Sequence, residues 1–185
     1  MSRLPRPTPD QLDDEQRRLY EAITSGSRAN GPWTVPLADA DGRLAGPFNA
    51  MLLSPAIGDA LQRLGAAIRY DGRLTDRSRE IAILAVAARW QCAFEQRVHE
   101  PLAAQAGVSH AELDALRAGH PLDLDDPVES AVLRTTRHLL DHRDLDDDRY
   151  REATDTFGAD QLFELTTLIG YYSTLALQMR VFAVY

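Results

Sequence analysis

The chain has 185 residues and a mass of 20.6 kDa, with 44% apolar and 26% charged residues, which fits one soluble globular domain, residues 1–185, that needs no disulfide or structural metal to hold its core. Twenty basic residues against 28 acidic ones leave a net charge of -8, so neither nucleic acid nor an anionic membrane is expected as a partner. All the basic residues are arginine, which excludes Schiff-base and lysine-anchored pyridoxal-phosphate chemistry and the P-loop. Cys92 is the sole cysteine and no apolar leader opens the chain; a reduced, cytoplasmic protein is expected.

Thr8 and Asp13 compete as N-caps of a first helix carrying Leu12, Leu19, Tyr20 and Ile23, which Ser25-Gly26-Ser27 ends. Residues 26–53 then read as a long loop punctuated by Gly31, Pro32, Pro36, Gly42, Gly46 and Pro47. Trp33, Val35, Leu37, Phe48 and Met51 make it a packed loop, and loops of that length are usually functional or disordered. Ser54-Pro55 opens a helix to about Tyr70. Thr75 caps the next, through Glu80 to about Arg89, and another covers roughly Cys92 to Ala106.

Ser109-His110-Ala111-Glu112 is a capping box for a short helix ending near Gly119. Asp126-Pro127 starts a helix to about Leu140, and the acidic run 144–148 precedes one that stops at Phe157-Gly158. Both acidic loops, 122–126 and 144–148, read as solvated helix N-termini rather than cation sites. The last helix, Ala159 to about Arg180, is apolar almost all round, which points to burial within the domain or in a homo-oligomer. No strand pattern competes. The fold class is all-α, about eight helices with short connections.

Chemistry concentrates in Trp90-Gln91-Cys92-Ala93-Phe94-Glu95-Gln96-Arg97-Val98-His99. At about 100° per residue, Cys92, Glu95 and His99 fall within about 60° of one another on a helix. One reading is a solvated i,i+4 pair, Glu95 with His99, beside a small core cysteine. A second is a proton-transfer pair, favoured by the apolar neighbours Trp90, Phe94 and Val98 and by the run Ile81 to Ala88. A metal site is the third, although Cys-x2-Glu-x3-His is not a standard zinc or di-iron spacing.

Glu80, followed by Cys92 twelve residues on and then by Glu95 and His99, resembles the active-site pattern of the carboxymuconolactone decarboxylase and alkylhydroperoxidase D family. Gly46-Pro47-Phe48-Asn49, Leu53-Ser54-Pro55, Gly107-Val108-Ser109 and Ile169-Gly170-Tyr171-Tyr172 agree with it, so the resemblance covers about residues 10 to 180. The peroxidase branch carries two thiols before the histidine. Phe94 to His99 is similar instead to the decarboxylase-like branch, with Glu95 in place of the second thiol.

The resemblance implies an all-helical trimer or hexamer, with Glu80 and His99 as acid–base groups and Cys92 at the first thiol position. One cysteine cannot close a disulfide with a resolving partner inside the chain, and a carboxylate cannot reduce a hydroperoxide. Expected, therefore, is a cofactor-independent enzyme acting on a small carboxylated lactone or aromatic-catabolism intermediate. A redox protein using Cys92 with an external thiol and a catalytically silent oligomeric binding protein are the alternatives. Arg79, Arg89 and Arg97 are candidate anion partners for the substrate, and Trp33, Phe48 and Asn49 candidate pocket walls.

Overall fold

The computed structural model describes residues 2–25 and 35–184. Within them the regular structure is helical: α1 (Asp14–Ser25), α2 (Pro47–Met51), α3 (Pro55–Tyr70), α4 (Asp76–Trp90), α5 (Ala93–Gln105), α6 (His110–Ala118), α7 (Pro127–His142) and α8 (Asp147–Phe182). The all-α class is therefore correct. The chain divides into two compact units, Met1–Asp71 with Leu177–Tyr185, and Gly72–Ala176.

In the first unit both rival N-caps are used. Thr8 closes a capping box with Gln11 on a single 3-10 turn, Pro9–Gln11. Asp13 then accepts from the Gln16 amide (2.8 Å), and Gln16 returns a bond to the Asp13 amide. Both orphan amide ends are thereby satisfied. The segment read as one long loop contains α2, whose five residues are all buried, and one isolated antiparallel bridge, Ala38 to Leu44. Proline at the first helical position and buried Phe48 and Met51 supply what five residues of propensity cannot. Trp33 lies outside the described residues. Gly58 on α3 makes close approach possible: a Cβ there would meet the Met51 carbonyl at 2.6 Å and Leu19 at 2.8 Å.

The second unit is built round α4, which packs on α5, α6 and α7. Residues 78–87 of α4 are buried without interruption, so this stretch of the helix has no solvent-facing side. Ile81, Leu84, Ala85, Ala103, Val108, Leu113, Leu116, Leu124 and Leu133 form its core cluster. Arg77 ties three of the helices together, bonding Glu112 at 2.6 Å and Glu129 at 2.8 Å. Glu164 of α8 accepts from the Arg73 and Leu74 amides (2.7 and 3.1 Å) just ahead of α4. Within α8 the backbone leaves helical geometry at Gly158 (φ 85°), where the sequence signals a stop at Phe157-Gly158 and a restart. The two acidic loops end in caps: Asp126 accepts from the Val128 and Glu129 amides, and Asp146 from that of Arg149.

Candidate functional site: a histidine between two glutamates

Thr75 caps α4 by accepting from the Ser78 amide, which places Glu80 one turn into a buried helix. The α4–α5 connection is only Gln91 and Cys92. Gln91 adopts the left-handed conformation (φ 52°, ψ 44°), and the Cys92 amide donates back to the Ala87 carbonyl at 2.8 Å. This tight reversal returns α5 along α4 and brings His99 to Glu80.

His99 Nδ1 donates to Glu80 Oε2 at 2.7 Å, and Nε2 lies 3.3 Å from Glu95 Oε2 one turn earlier on α5. All three side chains are at most 5% exposed. Tyr172 of α8 sets its ring edge-on to the imidazole, centroids 5.2 Å apart, and Tyr171 packs edge-on to Tyr172 at the same spacing. Burial opposes the imidazolium, yet the Glu80 carboxylate, with its hydrogen bond, and then Glu95 outweigh it, so the His99 pKa is raised from 6.5 to about 9. At neutral pH both ring nitrogens carry protons.

The charge sequence continues beyond the histidine. Arg79 Nε lies 3.8 Å from Glu80 Oε1, and Arg79 Nη2 bonds Asp76 at 2.8 Å. Asp76, Arg79, Glu80, His99 and Glu95 thus alternate in sign from the surface to the interior. Asp76 is largely exposed, Arg79 is 8% exposed, and the Arg79 Nε is buried without a hydrogen-bond partner. Alternation keeps each buried charge beside its opposite, the condition under which an interior ionic group is tolerated.

Of the four residues singled out from the sequence, Glu80, Glu95 and His99 come together. Cys92 is buried and precedes α5 as its N-cap with an extended backbone (φ -92°, ψ 91°), so the stripe reaching back from His99 is helical only to Ala93. The three candidate arginines separate. Arg79 adjoins Glu80, Arg89 pairs with Asp141 at 3.1 Å, and exposed Arg97 lies over the Phe94 ring at 5.4 Å. Phe48 and Asn49 are buried in α2 of the other unit, where Asn49 Nδ2 donates to the Pro5 carbonyl at 3.1 Å. Asp76 and Tyr172 were missed as site residues. The i,i+3 spacing from Asp76 to Arg79 was a readable signal, whereas nothing in the sequence places Tyr172 beside a ring 73 positions earlier.

Residues 55–138 match the model of the carboxymuconolactone decarboxylase family. That stretch spans Glu80, Cys92, Glu95 and His99, on which the resemblance was drawn. The fold is also that of an alkylhydroperoxidase AhpD core described as an uncharacterized peroxidase-related protein from Ralstonia eutropha, with TM-score 0.75, 15% identity, and coverage of 100% of this chain and 91% of that one. An uncharacterized peroxidase-related protein from a Silicibacter species is similar, with TM-score 0.74, 13% identity and the same coverage. A protein of unknown function from Agrobacterium tumefaciens matches at TM-score 0.63 and 18% identity, covering 74% of this chain and 94% of that one. No curated protein is similar to this chain in sequence. At these identities the structural likeness establishes the fold alone, and the chemistry must be argued from the chain's own residues.

Proposed function

We propose that the protein is a cofactor-independent acid–base enzyme that decarboxylates a small carboxylated lactone or a related ring compound of aromatic catabolism. The observation that carries this reading is the buried imidazolium held between Glu80 (2.7 Å) and Glu95 (3.3 Å). Loss of carbon dioxide leaves an electron pair that spreads onto a dienolate-type oxygen and must then take a proton on carbon. An imidazolium kept protonated at neutral pH is that proton's source.

The two bonds divide the labour. The shorter one, through Nδ1, fixes the ring's orientation and balances its charge, so Glu80 is the positioning group. The longer one leaves Nε2 as the nitrogen that gives up its proton to the substrate carbon, and water returns that proton once the product has left, with the Glu95 carboxylate again stabilising the imidazolium. His99 is 3% exposed, so a substrate reaches Nε2 by displacing Glu95 or the edge of Tyr172. Arg79, with an unpartnered buried Nε beside Glu80, is the best placed of the three arginines to meet the substrate carboxylate.

The test is release of carbon dioxide from a panel of carboxylated lactones without added cofactor. Activity is expected to survive Cys92→Ser and to fall by about 100-fold or more in His99→Ala, the usual weight of a general acid. Loss in Cys92→Ser with retention in His99→Ala would turn the assignment to thiol redox chemistry with an external reductant. A panel that gives no turnover, while compounds still raise the melting temperature, would favour a silent binding protein.

A further inference from the structure

The Gly72–Ala176 unit has a second concave location, separate from the histidine. A cleft of about 660 Å³ opens between the C-terminal ends of α4 and α6 and the last turns of α7. Glu80, Glu95 and His99 take no part in its lining. Its apolar wall is Ala85, Ala88, Leu116 and Leu140, and its charged side chains are Arg89, Arg117, Arg137 and Asp141.

The three arginines are not equivalent. Arg89 is spent on Asp141 (3.1 Å), which is also the one carboxylate among the cleft's lining residues. Arg117 is held by Glu100 and Asp114, each at 2.8 Å. Arg137 forms no ion pair with any carboxylate among the described residues. Its hydrogen bond goes from Nη2 to the His120 carbonyl at 2.8 Å, at the C-terminal end of α6. That bond by itself is a helix-end tie. However, it uses one of five guanidinium donors, and the half-buried side chain lines the cleft without an ion pair of its own, Asp141 being taken by Arg89. Burial pulls the Arg137 pKa below the usual arginine range, with no neighbouring carboxylate to restore it.

We propose that this cleft binds a small organic anion, a carboxylate on a compact apolar body, with Arg137 as the residue that recognises the charge. The guanidinium edge left by the His120 bond suits the two oxygens of a carboxylate. The alanine and leucine wall covers the body, and Gln91 and Gln96 complete the lining.

Benzoate, its neutral isostere benzamide and inorganic phosphate are the probes, titrated calorimetrically into the full-length protein. Benzoate is expected to bind at least about ten-fold more tightly than benzamide, a difference of about 1.4 kcal/mol. Arg137→Gln should weaken benzoate by about ten-fold or more, whereas Arg97→Gln, outside the cleft, should leave it unchanged. Ala88→Leu, which keeps Arg137 and its His120 bond and narrows the apolar wall, should also weaken benzoate, and it decides the matter if Arg137→Gln does not fold. No benzoate binding, equal binding of benzoate and benzamide, tighter binding of phosphate than benzoate, or an affinity indifferent to Arg137→Gln or to Ala88→Leu would each overturn the proposal.

Discussion

A histidine with a carboxylate on each nitrogen stores a proton against the pull of its own burial. His99 has a raised pKa in the folded chain and an ordinary one near 6.5 when unfolded. Folding therefore takes up a proton between those values. The contribution to stability is complete below about 6.5 and is lost as pH rises through about 9, a few kcal/mol over the window. Chemical denaturation at stepped pH should show wild-type stability falling across that interval more steeply than that of His99→Gln. Equal slopes would mean that the imidazole is not charged in the native state. Glu95 and His99 were legible in the sequence because they lie one turn apart, whereas Glu80, ahead of the apolar run 81–88, was reached only through the family resemblance. The alternating chain out to Asp76 was only half legible. Its i,i+3 link is local, but the step from Glu80 to His99 depends on how two helices lie together, and the Tyr172 contact depends on a third.

Among the elements, capping chemistry carried most of the information. Thr75, Ser109 and Asp126 each accept the backbone amide bonds that their positions predict, and the helices start one residue later. The short α2 escaped because five residues give no periodicity, and its Gly-Pro opening reads equally as a turn. Close packing is similarly invisible in sequence. Gly58 looks like a weak point inside a predicted helix, yet its missing side chain lets the Met51 carbonyl and Leu19 approach. Gly58→Ala should lower stability by about 1–3 kcal/mol despite alanine's better helix propensity, as overpacking does. A melting temperature equal to or above wild type would show that the α2–α3 contact gives way freely.

For the molecule as a whole, the apolar last helix was read as a sign of self-association. Its inner positions Leu165, Leu168 and Met179 are covered within the chain, but Phe163 is 73% exposed. In the first unit Leu53 and Ile57 are 55% and 65% exposed. Isolated apolar surface residues are ordinary, so the homo-oligomer expected from the sequence is a matter for measurement. Light scattering should return a multiple of 20.6 kDa, and Phe163→Asp should lower that multiple with helical content unchanged. A wild-type monomer would remove the basis for expecting trimers or hexamers. No helix among the described residues is long and apolar enough to cross a membrane.

The two-residue joint at Gln91 and Cys92 also bears on how this scaffold can be altered. Inserting a single amino acid there would break the return bond from the Cys92 amide to the Ala87 carbonyl and change the angle at which α5 leaves α4, carrying the imidazole off the Glu80 carboxylate while leaving both helices their own residues. Length at this hinge is thus as strict a requirement as side-chain identity. Redesigns of the protein have almost no latitude in length between Trp90 and Ala93.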